Sequence, residues 1–369
     1  MRNFFGILNL NIEAFGLDIS DLALKLVQLR RGGKQIKIQC FKEVALPEGI
    51  IKRGTILQPE ELTKHIKKII KQTKGLKTKY VVLSLPEERA FLQVISMPKM
   101  SLSETKNAIK YEAENYIPFS ADKLYLDCEP VACRDKDSPK DNNPNQEMLL
   151  AALPITAVDP YLEALDKAEL TPLALETESQ SIARALLKDC RCSNPCLIMD
   201  IGAVRTTFII MANNAPRFSA SIPLSANMFT ESIRKTLKID IKTAEELKRK
   251  CGLKNTTDQE KEVFDALIPI LTDLMEQTKK HVEYYHDYAT EKKFNIKDFV
   301  IKRMIVCGGG GNLIGLDKFL QQEMNMPVEI GNPLVNIYDD PKKSPIPKDQ
   351  LLNFAVAIGL ALRGLKEND

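Results

Sequence analysis

The sequence predicts an α/β protein of two lobes, with a small α+β module inserted into the first lobe. Three observations carry that expectation. Two acidic hairpins, FGLDIS at 15–20 and LIMDIGAVRTTFIIM at 197–211, echo one another far apart in the chain. Four consecutive glycines, Gly308, Gly309, Gly310 and Gly311, join a strand pattern to a helical one. Between the hairpins, residues 90–168 read strand, helix, strand, strand, helix, which is a compact α+β unit.

The totals permit this and exclude other classes. A chain of 369 residues is long enough for two domains. Apolar residues at 44% and charged residues at 27% suit a globular core. A net charge of +3, spread along the chain, offers no concentrated basic face for nucleic acid. No apolar run approaches the roughly 20 residues of a membrane helix. The start, with Phe4, Phe5, Ile7, Leu8, Leu10 and Ile12 interrupted by Asn9, Asn11 and Glu13, predicts a packed first helix, not a leader peptide. The eight cysteines are expected to be reduced, cytoplasmic thiols. Cys128 and Cys307 sit in strand-like runs, as small core residues. Cys190, Cys192 and Cys196 form the only cluster, and it lacks a fourth ligand for zinc.

Each element has a local reason. Gly16 and Asp18 lead into a turn at Ser20 and Asp21, and alternation resumes from Leu22 to Leu29. Gln35 to Leu46 reads as a further strand, and 59–73 as a helix that starts on Pro59. KYVVLSL at 79–85 is a buried strand, ended by Pro86. In the module, 90–98 is a strand, and Ser101 with Glu104 forms a capping box for a helix running to Ile117. Residues 124–133 and 148–153 are strands around a polar loop at 134–147, and 156–168 is a helix. ETESQSIARALL is a helix carrying Glu176 and Glu178. After the second hairpin come a strand at 217–224 and helical material over 226–288, broken near Gly252. Arg303 to Cys307 is a strand, the glycines follow, and a helix is expected from Leu313. The last helix, 350–365, carries small Ala355, Ala357, Gly359 and Ala361 for close helix packing.

Three features suggest chemistry. In the second hairpin Asp200 sits at the turn, Gly202 and Ala203 leave backbone amides uncovered, and Thr206 and Thr207 add hydroxyls. Such a turn can grip phosphates with N–H groups and hold a metal through its carboxylate. A plain hairpin is the competing reading. The glycine run lets a ligand approach the backbone, although no Gly-Lys-Ser/Thr follows and the dinucleotide spacing fails. Glu245 and Lys248, one turn apart, read first as a surface ion pair.

In order, the chain shows an acidic hairpin, the module, a Glu-bearing helix, a second acidic hairpin, a Glu/Lys helix, the glycine run and a small-residue helix. This order resembles the actin-like ATPase superfamily, with its two-lobed ribonuclease H-like fold closing on ATP. Within it the chain is most similar to the PilM family of type IV pilus assembly proteins, through FGLDIS…LKLVQL, VVLSLPEERAFLQVISMP, AIKYEAENYIPF, TAEELKRKCG and CGGGGNLIGL. The resemblance implies that Asp18 and Asp200 hold the Mg2+ of Mg-ATP, directly or through water. It implies that Gly16, Ser20 and Lys25 face the phosphates from one lobe, and Gly202, Ala203, Thr206 and Thr207 from the other. Glu178 takes the place of the residue that orients the attacking water. Glu245 and Lys248 line the adenosine pocket, Gly308, Gly309, Gly310 and Gly311 match the adenosine motif, and Gly309 and Gly310 lie under the nucleotide. Catalysis of this kind is positioning plus charge stabilisation, and the three histidines have no part in it.

The resemblance also implies a domain plan and a partner. The first-lobe core spans 1–89, completed by 169–195 and 350–369; the module spans 90–168; the second lobe spans 196–349, with a helical subdomain at about 226–300. The partner is the N-terminal cytoplasmic tail of a PilN-like membrane protein, gripped beside the module with candidate residues in 89–98 and 108–119. That places the protein in the cytoplasm, peripheral to the inner face of the membrane, with self-association into dimers, rings or filaments open. One departure stands out. The family's first hairpin reads Asp-Ile-Gly-Ser, but here it is Asp18-Ile19-Ser20-Asp21, which sets a Cβ and a second negative charge beside the expected phosphates. The alternatives are an FtsA-like division protein, although the chain ends in the short, polar LRGLKEND, a metabolic kinase, or a pilus scaffold that no longer hydrolyses ATP.

Overall fold

The computed structural model describes residues 13–33, 35–114, 116–117, 119–131, 144–192, 194–291, 300–338 and 340–365. The expected first helix and most of the 134–147 loop lie outside the described residues, as do Pro118 and Cys133. The chain forms two compact units. One comprises Met1–Pro86, Thr156–Asp189 and Pro333–Asp369, and the other Glu87–Ile155 and Cys190–Asn332.

The first unit begins with β1 (Phe15–Ile19), every residue of which is buried, so its sequence is apolar without alternation apart from Asp18. β2 (Ala23–Gly32) and β3 (Gln35–Ala45) follow as an antiparallel meander. A minor hairpin, β4 (Ile51–Lys52) and β5 (Thr55–Ile56), precedes α1 (Pro59–Gln72). Pro59 begins this helix, Glu60 and Glu61 suit the positive end of its dipole, and Leu62, Ile66 and Ile69 form the buried stripe. β6 (Tyr80–Leu85) then pairs in parallel with β1.

The inserted module interrupts the first lobe in sequence here. It contains β7 (Phe91–Pro98), α2 (Leu102–Glu114), β8 (Leu124–Pro130) and β9 (Asn145–Pro154), with β9 central in an antiparallel three-stranded sheet. The capping box is present: Glu104 accepts from Ser101 N–H at 2.8 Å and Glu104 N–H donates to Ser101 Oγ at 3.4 Å. In space the module belongs to the second unit, not to the lobe it interrupts. The next helix, α3 (Ile155–Lys167), was expected within the module but lies in the first unit beyond Ile155, where Tyr161 Oη donates to Gly54 O at 3.0 Å.

β10 (Thr171–Thr177) closes the first sheet against β6, giving the order β10-β6-β1-β2-β3. It runs directly into α4 (Glu178–Leu186). The second sheet contains β11 (Cys196–Ile201), β12 (Thr206–Ala212) and β13 (Ala215–Ile222) as an antiparallel meander. Three helices cover it: α5 (Ala226–Leu237), α6 (Ile241–Cys251) and the long α7 (Asp258–Glu291). Phe229, Ile233, Leu267, Leu271 and Tyr285 fill their shared core with Phe208 and Ile210 of β12. β14 (Arg303–Cys307) and, after α8 (Leu316–Met324), β15 (Val328–Ile330) extend the sheet in parallel, in the order β13-β12-β11-β14-β15. α8 starts later than expected because Gly309–Asn312 forms a separate 3-10 turn. The chain ends its described part in α9 (Ala355–Gly364), where an added Cβ on Gly359 would lie 1.9 Å from Ser181 O of α4. That contact is why the small residues of this helix are needed: the two helix backbones touch.

The two five-stranded sheets therefore share one topology. Each has a three-strand meander whose first strand, β1 or β11, is followed outward by two parallel strands. The duplicated plan read from the two hairpins is present in the strand order. Within the second unit the module is fastened to β13. Val94 and Leu149 share a core with Ala215, and Arg217, 2% exposed, forms a bidentate pair with Glu147 at 3.0 and 2.6 Å.

Candidate functional site

The two acidic hairpins occupy equivalent places. Asp18 is the second-to-last residue of β1 and faces Lys25 in register; Asp200 is the second-to-last residue of β11 and faces Thr207. Their place in the chain puts each carboxylate at its strand's C-terminal end, the edge of an α/β sheet where ligands bind.

In the first hairpin Lys25 Nζ lies 3.2 Å from Asp18 Oδ2, and Ser84 Oγ of β6 donates to Oδ1 at 3.1 Å. Ser84 also accepts from Ile19 N–H at 3.2 Å, so it ties the end of β1 to β6. Asp18 is 3% exposed; the lysine and serine are what let a carboxylate sit there. Ser20 closes the turn through N–H and Oγ, both donating to Ala23 O at 3.0 Å. Asp21 does not add free charge beside the turn as expected. Its oxygens accept from Arg53 N–H at 2.8 Å and Gly54 N–H at 3.0 Å, so the carboxylate caps the β4–β5 turn. Gly16 has a structural reason of its own. A Cβ there would lie 2.3 Å from Ala357 O and 2.6 Å from Ala361 N, so the glycine admits α9 against β1.

Glu178 opens α4, buried, at the helix N-terminus. Glu176, two residues earlier, is held by its partners. Arg184 grips both its oxygens, and Arg363 reaches one of them at 3.4 Å. Arg184 also donates to Gly359 O at 3.1 Å, so this cluster locks α4 to α9.

In the second hairpin Gly202 N–H donates to Arg205 O at 2.8 Å, closing the turn. The carbonyls of Gly202 and Ala203 accept from Ala226 N–H at 2.9 Å and Asn227 N–H at 3.2 Å, so the turn also caps α5. Thr206 and Thr207 are buried. Their hydroxyls are engaged within the sheet, Thr206 donating to Leu224 O at 2.8 Å and Thr207 sharing a 2.9 Å hydrogen bond with Ser221. Beside them, burial, the Asp200 charge and the hydrogen bond to it push the Cys307 thiol well up, so it stays protonated and donates to Asp200 Oδ1 at 3.7 Å.

The glycine run seals the same end of the sheet. Gly308 has φ +75°, and a Cβ there would lie 2.3 Å from Asp200 Oδ1 and 2.5 Å from Ile201 O. A Cβ on Gly310 would meet Ile201 Cγ2 at 2.3 Å. Gly309 is exposed and Gly311 buried. At least two of these glycines thus exist to bring the β14–α8 connection onto β11 beside Asp200.

Glu245 and Lys248 are more than a surface pair. Lys248 Nζ lies 2.6 Å from Glu245 Oε2 and donates to Thr230 Oγ1 at 2.7 Å and Ala226 O at 3.2 Å. Thr230 in turn donates to Glu245 at 2.6 Å, and Arg249 holds the other oxygen at 2.9 Å. Burial lowers the Lys248 pKa, against the pull of Glu245. Burial acts to raise that of Glu245, but hydrogen bonds from Lys248, Thr230 and Arg249 outweigh it and hold it low. Sequence spacing exposes the i,i+3 pair but not Thr230 or Arg184 on neighbouring helices, nor Ser84 and Arg363, which arrive from distant elements without a local motif.

Asp18 and Asp200 are the carboxylates that these two hairpins could offer to a magnesium ion. Mg2+ binds through one or two carboxylates plus phosphates and water, not through a dedicated cage. No group of three or more His, Cys, Asp or Glu side chains suited to a metal occurs among the described residues. The charges also suit it: Lys25 balances Asp18 and can turn to a phosphate when a metal takes over the carboxylate.

Comparison with known proteins bears on the family and the fold. The profile of the family described as "Type IV pilus assembly protein PilM" matches residues 16–365. A solved structure of a PilM–PilN type IV pilus biogenesis complex superposes with a TM-score of 0.77, at 28% identity, covering 96% of this chain and 99% of that one. MreB5 of Spiroplasma citri bound to AMPPNP superposes with a TM-score of 0.56 at 14% identity, covering 96% and 97% of the two chains, a likeness of fold. The cell division protein FtsA of Borreliella burgdorferi is 24% identical over 179 residues, 45% of this chain. The chain matches less than half of that curated relative, 42% of its length. No described helix is long and apolar enough to cross a membrane. The chain has the two-lobed actin-like ATPase fold and belongs to the type IV pilus assembly protein PilM family.

Proposed function

We propose that this PilM-family chain is a nucleotide-binding scaffold of type IV pilus or related secretion assembly, loaded with Mg-ATP and docked to the N-terminal tail of a PilN-like membrane protein. The observation that carries the nucleotide reading is the equivalence of Asp18 and Asp200, each next to last on the central strand of topologically identical sheets. Asp18 and Asp200 hold the metal; Lys25 and the Ala203 amide address phosphates, while Ser20 and Gly202, whose N–H groups close their own turns, shape the two hairpins; Lys248, Glu245 and the glycine turn border the nucleoside. Glu178 orients water for any hydrolysis. Asp21 and Glu176 have no part, since both carboxylates are bound elsewhere in the fold.

The partner reading rests on the solved PilM–PilN neighbour, which covers nearly the whole of both chains. It sets the protein at the inner face of the membrane through its partner. The pilus reading is favoured over a division role because the PilM profile spans 16–365, whereas the FtsA likeness spans under half of the chain. Two measurements test it. Mg-ATP should raise the melting temperature of the wild type and not of Asp200→Ala, which should keep the fold; no rise in the wild type removes the nucleotide reading. A peptide of the PilN-like tail from the same organism should retain the chain in a pull-down, and no retention removes the partner reading.

A further inference from the structure

At the opposite end of β11 from Asp200 lies a buried cluster that the nucleotide reading does not use. Cys196 begins the strand, and Cys192 approaches it across the short segment that leads into it. Their sulfurs are 3.0 Å apart, and both residues are buried, at 4% and 0% exposure. Cys192 Sγ also lies 2.9 Å from Asn194 O and 3.6 Å from Met211 O, and Cys192 N–H donates to Asn214 Oδ1 at 2.7 Å, so the sulfur is held in place from several sides. A disulfide needs about 2.05 Å between sulfurs, so closing the pair takes a movement of only about 1 Å. Cys192 is buried, while Arg191 before it and Asn194 two residues after it are exposed.

The surroundings suit thiol chemistry. The hydrogen bond with Cys196 favours the Cys192 thiolate, burial opposes it, and nearby Arg303 supports it; the net effect is a lowered pKa. Cys196 is held protonated by its hydrogen bond with Cys192 and by its deeper burial. The phenol of Tyr285 is fully buried, has no hydrogen-bond partner among the described residues, and lies near enough to both thiols to feel their charge. A core with only a structural role seldom leaves such a hydroxyl unsatisfied.

The geometry points to a reversible dithiol–disulfide site at Cys192 and Cys196, open to a small disulfide oxidant of the glutathione class. The Cys192 thiolate attacks one sulfur of oxidised glutathione, forming a mixed disulfide and releasing one glutathione thiolate. Cys196, giving up its proton, then attacks Cys192 Sγ and displaces the second glutathione. Two protein thiols lose two electrons and two protons, and one oxidised glutathione becomes two reduced ones. The bridge ties Cys192 to the start of β11. It leaves the Asp200 end of the strand in place, so this site stands or falls apart from the nucleotide reading.

The full chain is incubated in buffers of graded oxidised to reduced glutathione, quenched with acid, alkylated, digested with trypsin and weighed. Cleavage after Arg191 leaves Cys192 and Cys196 on one peptide and Cys190 on another. That peptide is expected unalkylated and lighter by two hydrogens, at glutathione ratios that leave the urea-unfolded chain mostly reduced; dithiothreitol restores two alkylation sites. Cys251 and Cys307, buried elsewhere, should stay reduced throughout, as a check that the fold is intact. In Cys196→Ser, glutathione should remain trapped on Cys192. The proposal is overturned if both sulfurs stay alkylatable, if Cys190 is the partner that links, or if folded and unfolded chains oxidise at the same ratio.

Discussion

Gly308→Ala isolates what the glycine run does for the second hairpin. Gly308 has φ +75° and ψ 170°, a region that side-chain-bearing residues enter at a cost of about 1–3 kcal/mol. The added methyl would also lie 2.3 Å from Asp200 Oδ1 and 2.5 Å from Ile201 O. Overpacking of this kind costs a further ~1–3 kcal/mol, because backbone and carboxylate must both give way. The sum, about 2–6 kcal/mol, is a large share of the 5–15 kcal/mol or so that holds a domain folded. For a unit of about 210 residues it corresponds to a fall in melting temperature of about 5–20 °C. Scanning calorimetry would resolve this as a drop in the transition of the second unit. Gly309→Ala is the control, since Gly309 is exposed and outside the positive-φ glycines. A Gly308→Ala protein that melts within about 1 °C of wild type would refute the claim that this glycine is needed to seat the β14–α8 turn on β11.

Further outcomes follow from the same geometry. Glu176→Gln should destabilise the first unit by about 3–5 kcal/mol by removing the carboxylate that Arg184 and Arg363 share, and should leave any ATPase activity of the folded protein in place, whereas Glu178→Gln should abolish that activity. Loss of activity in folded Glu176→Gln, or its retention in Glu178→Gln, would contradict the division of roles. Arg217→Met alone should cost about 3–5 kcal/mol, and Arg217→Met with Glu147→Leu much less, because the pair and not either charge is what the module tolerates; equal costs in denaturant melts would rule that out. Glu245 is held below its ordinary 4.5, so the unfolded chain takes up that proton first as pH falls. Its stabilising contribution is complete above pH 4.5 and drains away as pH drops through the folded value. Glu245→Gln should therefore flatten the acid limb of a stability–pH curve, and an unchanged limb would show that the cluster is not what titrates there.

Much of this was legible in the sequence because it is local. The strand–acidic turn–strand pattern placed Asp18 and Asp200 beside hairpin turns, the Ser101–Glu104 box marked a helix start, and an i,i+3 spacing paired Glu245 with Lys248. The remainder depends on residues that meet only in the folded chain. Asp21 looked like a second charge beside the phosphates, yet it caps a turn 32 residues away. Glu176 and Glu178 are alike in sequence and are separated only by Arg184 and Arg363, the latter 187 residues on. Gly16 and Gly308 read equally well as ligand glycines, but the atoms a Cβ would strike are α9 backbone in one case and Asp200 in the other. Nor does alternation reveal that the module, inserted in the first lobe, is fastened to β13 by Arg217 and Glu147, 70 residues apart.

The central claim is that Asp18 and Asp200 serve one magnesium nucleotide. Calorimetric titration with Mg-ATP of the wild type, Asp18→Asn, Asp200→Asn and the double variant tests it most directly. If both carboxylates hold the same ion, each single change should weaken binding strongly and the double change should be much less than additive. Additive losses, or wild-type affinity in either single variant, would contradict the account.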